Sequence, residues 1–286
     1  MIGLTTEYVW GPKQMESGVV CDGYKLMEYL KRFNLNHYEL TCWMPEPGID
    51  GIKSFLNENP EKKIISIHAY APLGEDFVLG NHPADGFNPA SCNEKKRVNA
   101  VSRLKNTIDL ASQLGAKYVV VHGGQKEINQ ERRSNLDSLL YSVEESLDFI
   151  DNKGYDIKIG VENGVYPSSI FVNSDEISKI KRFYPKAGLW FDSGHANVNK
   201  NSDMLRISEE CKDLVIGFHI HNNNGYKDLH NPTYRGKINF SEFFKPFAEN
   251  IRKEDMPIIL ELYSFRSNIV DSEVAESLNH IKKIIY

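Results

Sequence analysis

The sequence predicts an α/β chain folded as one closed (β/α)8 or TIM barrel, a ring of eight parallel strands with a helical segment after each. Three observations lead there. Short apolar runs rich in Val, Ile and Tyr recur eight times and alternate with longer amphipathic segments, the pattern of parallel strands joined by helical crossovers. Several runs are apolar on both faces, as strands covered on both sides must be. The length of 286 residues suits a single barrel domain over residues 1–286, and no linker or low-complexity tract divides it. A doubly wound open sheet would usually carry a Gly-rich phosphate turn after its first strand, and "TTEYVWGPK" has none.

The strand-like runs are, in order, Met1–Thr6, His37–Trp43, Lys63–Pro72, Ala116–Gly124, Ile157–Gly164, Ala187–Asp192, Leu214–Asn222 and Pro257–Ser264. The clearest helix is Lys95–Leu114, where Val98, Val101, Leu104, Ile108 and Leu114 mark one apolar stripe and Gly115 suits the C-terminal stop. Asn135–Asn152 repeats the pattern with Leu136, Leu139, Leu140, Val143, Leu147 and Ile150. Ser174 and Asp175 are candidate caps for a third helix, and Phe240–Ile251 and Val274–Ile285 close the chain.

Hydrophobic residues make up 41% and charged residues 26%, which suits a globular protein with a full core. A formal net charge of -5 gives no general attraction to nucleic acid or anionic lipid. No run reaches the roughly 20 apolar residues needed to span a bilayer, and "MIGLTTEYVW" does not read as a signal peptide. Cys21, Cys42, Cys92 and Cys211 form no CxxC pair and read as reduced thiols, so a cytoplasmic protein with no membrane contact is expected.

The active site of such a barrel forms where the strands end. Run three ends in "SIHAYAP", with His68, and run four in "VVVHGG", with His122. Run five ends in "IGVENG", with Glu162, and run six in "LWFDSGH", with Asp192 and His195. Run seven, "GFHIHNNNGYKDLH", offers His219, His221, Asp228 and His230, and run eight, "IILELYS", offers Glu261. Each residue alone has an ordinary reading as a hydrogen-bonded core group or a solvated side chain. Their coincidence at six consecutive strand ends does not, because burying that many ionisable groups together is costly unless something pairs them. A divalent cation removes the repulsion between opposed carboxylates, and a His/Asp/Glu mixture is a normal shell for Zn, Mn, Co or Fe. No organic cofactor is expected beside it.

These motifs resemble the xylose-isomerase-like TIM-barrel superfamily, which contains sugar phosphate isomerases/epimerases and endonuclease IV. The resemblance runs over nearly the whole chain through "IHAYAP", "YVVVHGG", "GVENG", "WFDSGHAN", "FHIHNNNGYKDLH" and "IILELY". It implies a metal site of Glu162, Asp192, His219 and Glu261. His219 is preferred because the family pattern is His-x-x-Asp. Asn222 stands at that Asp position, so His221 stays open as the alternative. In the epimerase and ketose isomerase branches the two metal-bound glutamates are also the acid/base pair, which implies catalytic roles for Glu162 and Glu261 and a substrate contact for His195. The endonuclease IV branch uses a trinuclear zinc cluster, and its nine ligand positions fall on His68, His122, Glu162, Asp192, His195, His219, Asp228, His230 and Glu261.

The expected function is a metal-dependent sugar or sugar-phosphate isomerase or epimerase of carbohydrate metabolism, with proton transfer next to a carbonyl through a metal-stabilised enediolate. Trp43, Tyr70 and Tyr166 follow runs two, three and five, where they could wall a small polar substrate. The alternative is an endonuclease IV-like zinc-dependent abasic-site endonuclease or phosphodiesterase. DNA binding needs cations around the mouth, because phosphate contacts dominate affinity. The loop "LGEDFVLGNHPADGFNPASCN" has none, nor has "TCWMPEPG". Lys227, Arg235 and Lys237 lie after run seven, where Arg235 could equally meet a sugar phosphate. The partner is therefore expected to be a small sugar or sugar derivative rather than nucleic acid, with pairing into a homo-oligomer left open.

Overall fold

A computed structural model describes residues 1–11, 21–73, 86–199, 203–264 and 268–286. Eight parallel strands close in sequence order into one barrel, each hydrogen-bonded to its neighbours and the eighth to the first. They are β1 (Ile2–Thr5), β2 (His37–Leu40), β3 (Lys63–His68), β4 (Tyr118–His122), β5 (Lys158–Glu162), β6 (Ala187–Asp192), β7 (Val215–Ile220) and β8 (Ile258–Leu260). The helices are α1 (Gly23–Lys31), α2 (Glu46–Glu58), α3 (Glu94–Leu114), α4 (Arg132–Lys153), α5 (Ser174–Ile177), α6 (Ser193–Val198), α7 (Met204–Glu210), α8 (Phe240–Phe244), α9 (Ala248–Glu254) and α10 (Asp271–Ile285). No described helix is long and apolar enough to cross a membrane.

Most apolar runs overshoot the strands they mark, chiefly at the C-terminal end. The residues beyond the last ladder bond, such as Thr41, Trp43 and Tyr70, are still buried, because the barrel mouth folds in on itself. Elsewhere local chemistry overrides the pattern. Val98 faces solvent, and α3 instead buries Arg97, Ala100, Val101, Leu104 and Ile108. The cap of α5 is Asn173, whose side chain accepts from the Glu176 amide, rather than Ser174 or Asp175. After one turn that crossover becomes a 3-10 segment, Ser178–Phe183. The segment predicted as Phe240–Ile251 is two short helices around a 3-10 turn, where Pro246 has no amide hydrogen to give. The two long helices both end on a glycine in the left-handed region, Gly115 (φ 70) as predicted and Gly154 (φ 69), two residues beyond the predicted end at Asn152.

Two apolar layers hold the ring. The larger lies between barrel and helices, with Phe191, Phe218, Phe243 and Phe247 packed at centroid distances of 5.1–6.4 Å on the outer faces of β6 and β7. The smaller fills the barrel with Ile65, Val120, Trp190, Ile216 and Ile259. Side chains alternate along a strand, so the residue two places after an interior one also points inward. Val120 is followed by His122, Gly160 by Glu162, Trp190 by Asp192 and Ile259 by Glu261. The polar layer of the mouth thus stands on the apolar layer below it.

Trp190 fills that lower layer because both neighbouring strands yield space. A Cβ added at Gly217 would lie 2.3 Å from the indole, and one at Gly160 would lie 2.8 Å from it. Gly217→Ala is therefore expected to overpack the barrel and destabilise the protein by about 1–3 kcal/mol or more. Denaturant unfolding checks this, and an unchanged midpoint would show that Trp190 is not the tight filler described.

Candidate metal centre

The strand ends place their polar groups in one buried cluster. Glu162, Asp192 and His219 are fully buried, and Glu261 is 4% exposed. Glu162 Oε1 lies 3.0 Å from His219 Nδ1. Its Oε2 lies 3.2 Å from His68 Nε2 and 3.0 Å from His122 Nε2. Asp192 caps α6, accepting from the His195 amide through Oδ1 at 2.6 Å, and the same oxygen stands 3.2 Å from His221 Nε2. Its main chain is locked by Asn163, whose amide accepts from the Asp192 N–H at 2.7 Å and donates to its carbonyl at 3.0 Å.

Three of the histidines, His68, His195 and His230, share one arrangement. A main-chain carbonyl can only accept, so the ring nitrogen beside it must donate, and the other nitrogen is left to face the carboxylates, as a donor to them while protonated and as a metal ligand only once that proton is lost. His68 Nδ1 donates to the Ala69 carbonyl, His195 Nδ1 to that of Asn163 and His230 Nδ1 to that of Glu261, at 2.9–3.0 Å. Their Nε2 atoms turn inward, toward Glu162 for His68 and toward Asp228 for the other two. His219 is held instead by Glu39, 2.8 Å from its Nε2. His230 sits at φ 50, unusual for a residue with a Cβ, and its ring is stacked between His221 and Tyr263 at 3.9 and 3.8 Å.

The donors fall into overlapping groups whose ligand atoms lie within 4.8 Å of one another: Glu162, Asp192, His219 and Glu261; His68, His122 and Glu162; His68, His219 and Glu261; and His195, His221, Asp228 and His230. The first group fits a cation on its own evidence. Asp192 Oδ2 and Glu261 Oε2 are buried with no hydrogen-bond partner, 3.9 and 3.8 Å from His219 Nδ1. Unsatisfied carboxylate oxygens at such depth are costly, and a divalent ion among them would satisfy both.

The surroundings push these groups apart. Burial works against the charge of Glu162, but the His122, His219 and His195 rings hold its carboxyl well below the usual range. Burial lifts Glu261 well above it, with the Glu162 and Asp192 charges adding to the effect. His219 is buried too, yet Glu39, Glu261 and Glu162 together raise it well above an ordinary histidine.

Above the centre lies a cavity of about 320 Å³, whose wall includes Glu7, Cys42, Trp43, Gln125, Tyr166 and Tyr263. None of its described lining residues is Lys or Arg. The structure brings every strand-end residue named from the sequence into the centre, with His221 in the fourth group rather than the first. Trp43 and Tyr166 line the cavity. Tyr70 does not; it packs on Phe87 at 4.6 Å. Arg235 also stands apart, paired with Glu273 of α10 at 2.9 Å. Residues 74–85, in the loop after run three that carries no Lys or Arg, lie outside the described residues. Sequence reasoning missed Glu39, Glu7, Asn163 and Tyr263, whose hydroxyl donates to Glu261 Oε1 at 2.9 Å. The available signals were a glutamate inside the apolar run "HYEL" and a tyrosine two residues after Glu261.

A family model described as xylose isomerase-like TIM barrel matches residues 23–284. The uncharacterized protein MJ1311 of Methanocaldococcus jannaschii is 28% identical over 240 residues, covering 78% of this chain and 74% of that protein. Among solved structures, D-psicose 3-epimerase with D-tagatose from Clostridium cellulolyticum H10 is similar with a TM-score of 0.73 at 12% identity, covering 99% of both chains. The IOLI protein with a binding zinc atom is similar with a TM-score of 0.68 at 14% identity, covering 99% of this chain and 97% of that one. At these identities the two structural likenesses show the fold alone.

His219 and Glu261 both hold protons more tightly than usual, so a cation entering the centre must displace them. Titration calorimetry with Zn2+ or Mn2+ in buffers of different ionisation enthalpy is expected to show net proton release, and affinity should fall as pH is lowered through neutrality. Affinity that does not change with pH would contradict this account of the centre.

Proposed function

We propose, from the premise that this chain belongs to the xylose isomerase-like TIM-barrel family, that it is a divalent-metal-dependent sugar isomerase or epimerase. The observation that carries this reading is the group of Glu162, Asp192, His219 and Glu261, one histidine and three carboxylates beneath a small cavity that Glu261 lines, two of them with oxygens left unsatisfied. A divalent cation held there supplies Lewis acidity, polarising a carbonyl oxygen and stabilising the negative charge that develops when the neighbouring carbon loses its proton.

The chain's own residues do the rest. Glu162, held ionised by its histidine neighbours, is the base that takes the proton from the carbon next to the carbonyl. Glu261, directly after β8, returns a proton, either to the opposite face of that carbon or to the adjacent one, and so sets the choice between epimerisation and isomerisation. Its Oε1 is already tied to the Tyr263 hydroxyl, which fixes the carboxyl plane. His195, with Nε2 directed into the cavity region and Nδ1 anchored on Asn163, can hydrogen-bond a substrate hydroxyl. Trp43 and Tyr166 offer ring faces for a sugar, and the absence of Lys and Arg from the described lining suits a neutral polyol better than a long polyanion.

A second reading is favoured by one specific observation. The His68, His122 and Glu162 group and the His195, His221, Asp228 and His230 group stand beside the first. A centre holding several ions is suited to generating hydroxide and stabilising a phosphoryl leaving group, as in a phosphodiesterase or abasic-site endonuclease.

The sugar reading predicts solvent deuterium exchange into a ketose or a 2-hydroxy sugar derivative, lost in Glu162→Gln and Glu261→Gln. Full exchange in both variants would remove the proposed proton transfer. Metal analysis separates the readings. One ion per chain, with no binding to abasic duplex at low salt, supports the sugar enzyme. Several ions per chain, with cleavage of that duplex, reverses the choice.

A further inference from the structure

We propose that Glu39 is a positioning residue that sets which nitrogen of His219 faces the metal centre and how strongly it donates. The inference rests on the metal-centre reading above. Glu39 lies in β2, is fully buried and does not line the cavity. It reaches across the barrel interior to a strand that is not its neighbour, with Oε1 2.8 Å from His219 Nε2. The Ser66 hydroxyl of β3 donates to its Oε2 at 2.7 Å, which leaves Oε1 to accept the His219 Nε2 hydrogen. With that hydrogen placed, Nδ1 is the nitrogen left to face the centre, 3.0 Å from Glu162 Oε1, 3.8 Å from Glu261 Oε2 and 3.9 Å from Asp192 Oδ2, and its lone pair becomes available when a cation displaces the proton it shares with Glu162.

Two features make this more than a buried ion pair. His68, His195 and His230 are oriented by main-chain carbonyls. His219, in the four-residue group, is oriented by a carboxylate instead. An acidic acceptor behind a ligating imidazole fixes its tautomer and raises its basicity, which a neutral amide carbonyl does only weakly. The ring is also confined on its flanks, 5.7 Å from the His68 ring and 5.6 Å from Trp190, so packing sets its plane and Glu39 sets its direction within that plane.

The test compares metal-depleted wild type, Glu39→Gln and Ser66→Ala by Co2+ titration, visible absorption of the Co2+ form and unfolding of the metal-free proteins. Glu39→Gln is expected to weaken Co2+ binding by roughly 10–100-fold and to shift the visible bands, since a ligand's donor strength has changed. Ser66→Ala keeps the charge but loosens its aim, and is expected to weaken binding by a smaller factor. A role confined to stability would lower the metal-free unfolding midpoint while leaving affinity and spectrum at wild-type values, and that result in Glu39→Gln overturns the proposal. If Glu39→Gln does not fold, wild-type affinity and spectrum in Ser66→Ala overturn it. Wild type that binds no Co2+ overturns the metal-centre reading itself and the proposal with it, and this outcome is distinguished by the wild-type arm alone.

Discussion

The structure is organised around one electrostatic constraint: Glu39, Glu162, Asp192 and Glu261 converge on a barrel mouth with at most 4% exposure. Carboxylates crowded together out of water repel one another and lose their hydration, so the arrangement is tenable only with compensating positive charge or hydrogen-bond donors. The chain supplies a first measure of compensation itself. His68, His122, His195, His219 and His221 surround the acids, and the Tyr263 hydroxyl donates to Glu261. Two oxygens, one on Asp192 and one on Glu261, remain outside that scheme. Both ring nitrogens of His221 also have no hydrogen-bond partner, so the protein leaves the centre incompletely satisfied where the ligand atoms converge and at His221.

Holding such a centre still requires rigid packing beneath and behind it. Trp190 provides the floor, with Gly160 and Gly217 cut back to admit it, and its ring edge supports His219. Behind Asp192 and His219, the phenylalanines that precede them, Phe191 and Phe218, lock into the aromatic layer formed with Phe243 and Phe247. An aspartate and a histidine that face the centre are thereby tied to a well-packed outer layer through strands only a few residues long.

Much of this was legible in the sequence, for identifiable reasons. Strand ends in a parallel barrel must be polar where the site forms, so the end of each apolar run pointed to Glu162 and Asp192, while run seven offered both His219 and His221 and only the family resemblance preferred His219. The method failed where the signal is not positional. Glu39 lies inside a strand, and a lone acidic residue in an apolar run reads as a surface position until a partner is seen across the barrel. Tyr70 and Arg235 were placed correctly along the chain, but sequence carries no information on which way a loop side chain turns. One turned under its loop onto Phe87 and the other onto Glu273. Val98 failed for a related reason. Helical periodicity locates a stripe but not its edges, and α3 buries the guanidinium of Arg97, neutralised by Glu94 and Glu145, on the side where an apolar residue was expected.

The ligands differ in what carries them. Glu162 and Asp192 end β5 and β6, His219 lies in β7 and Glu261 directly follows β8, whereas Asp228 and His230 belong to the excursion between β7 and α8. That excursion has its own hub, Asn222, whose side chain bonds the main chain at Asn223, Thr233 and Ile238, and it is tied back to the scaffold where His230 meets the Glu261 carbonyl, Asn223 meets Gly194 and Thr233 meets Ser277. The scaffold thereby keeps two inventories of function. One is written into strands, where a single insertion would shift the register of the whole ring. The other is written into a loop excursion, whose residues can change without shifting that register. Reaction type and substrate preference can then drift at different evolutionary rates within a single gene.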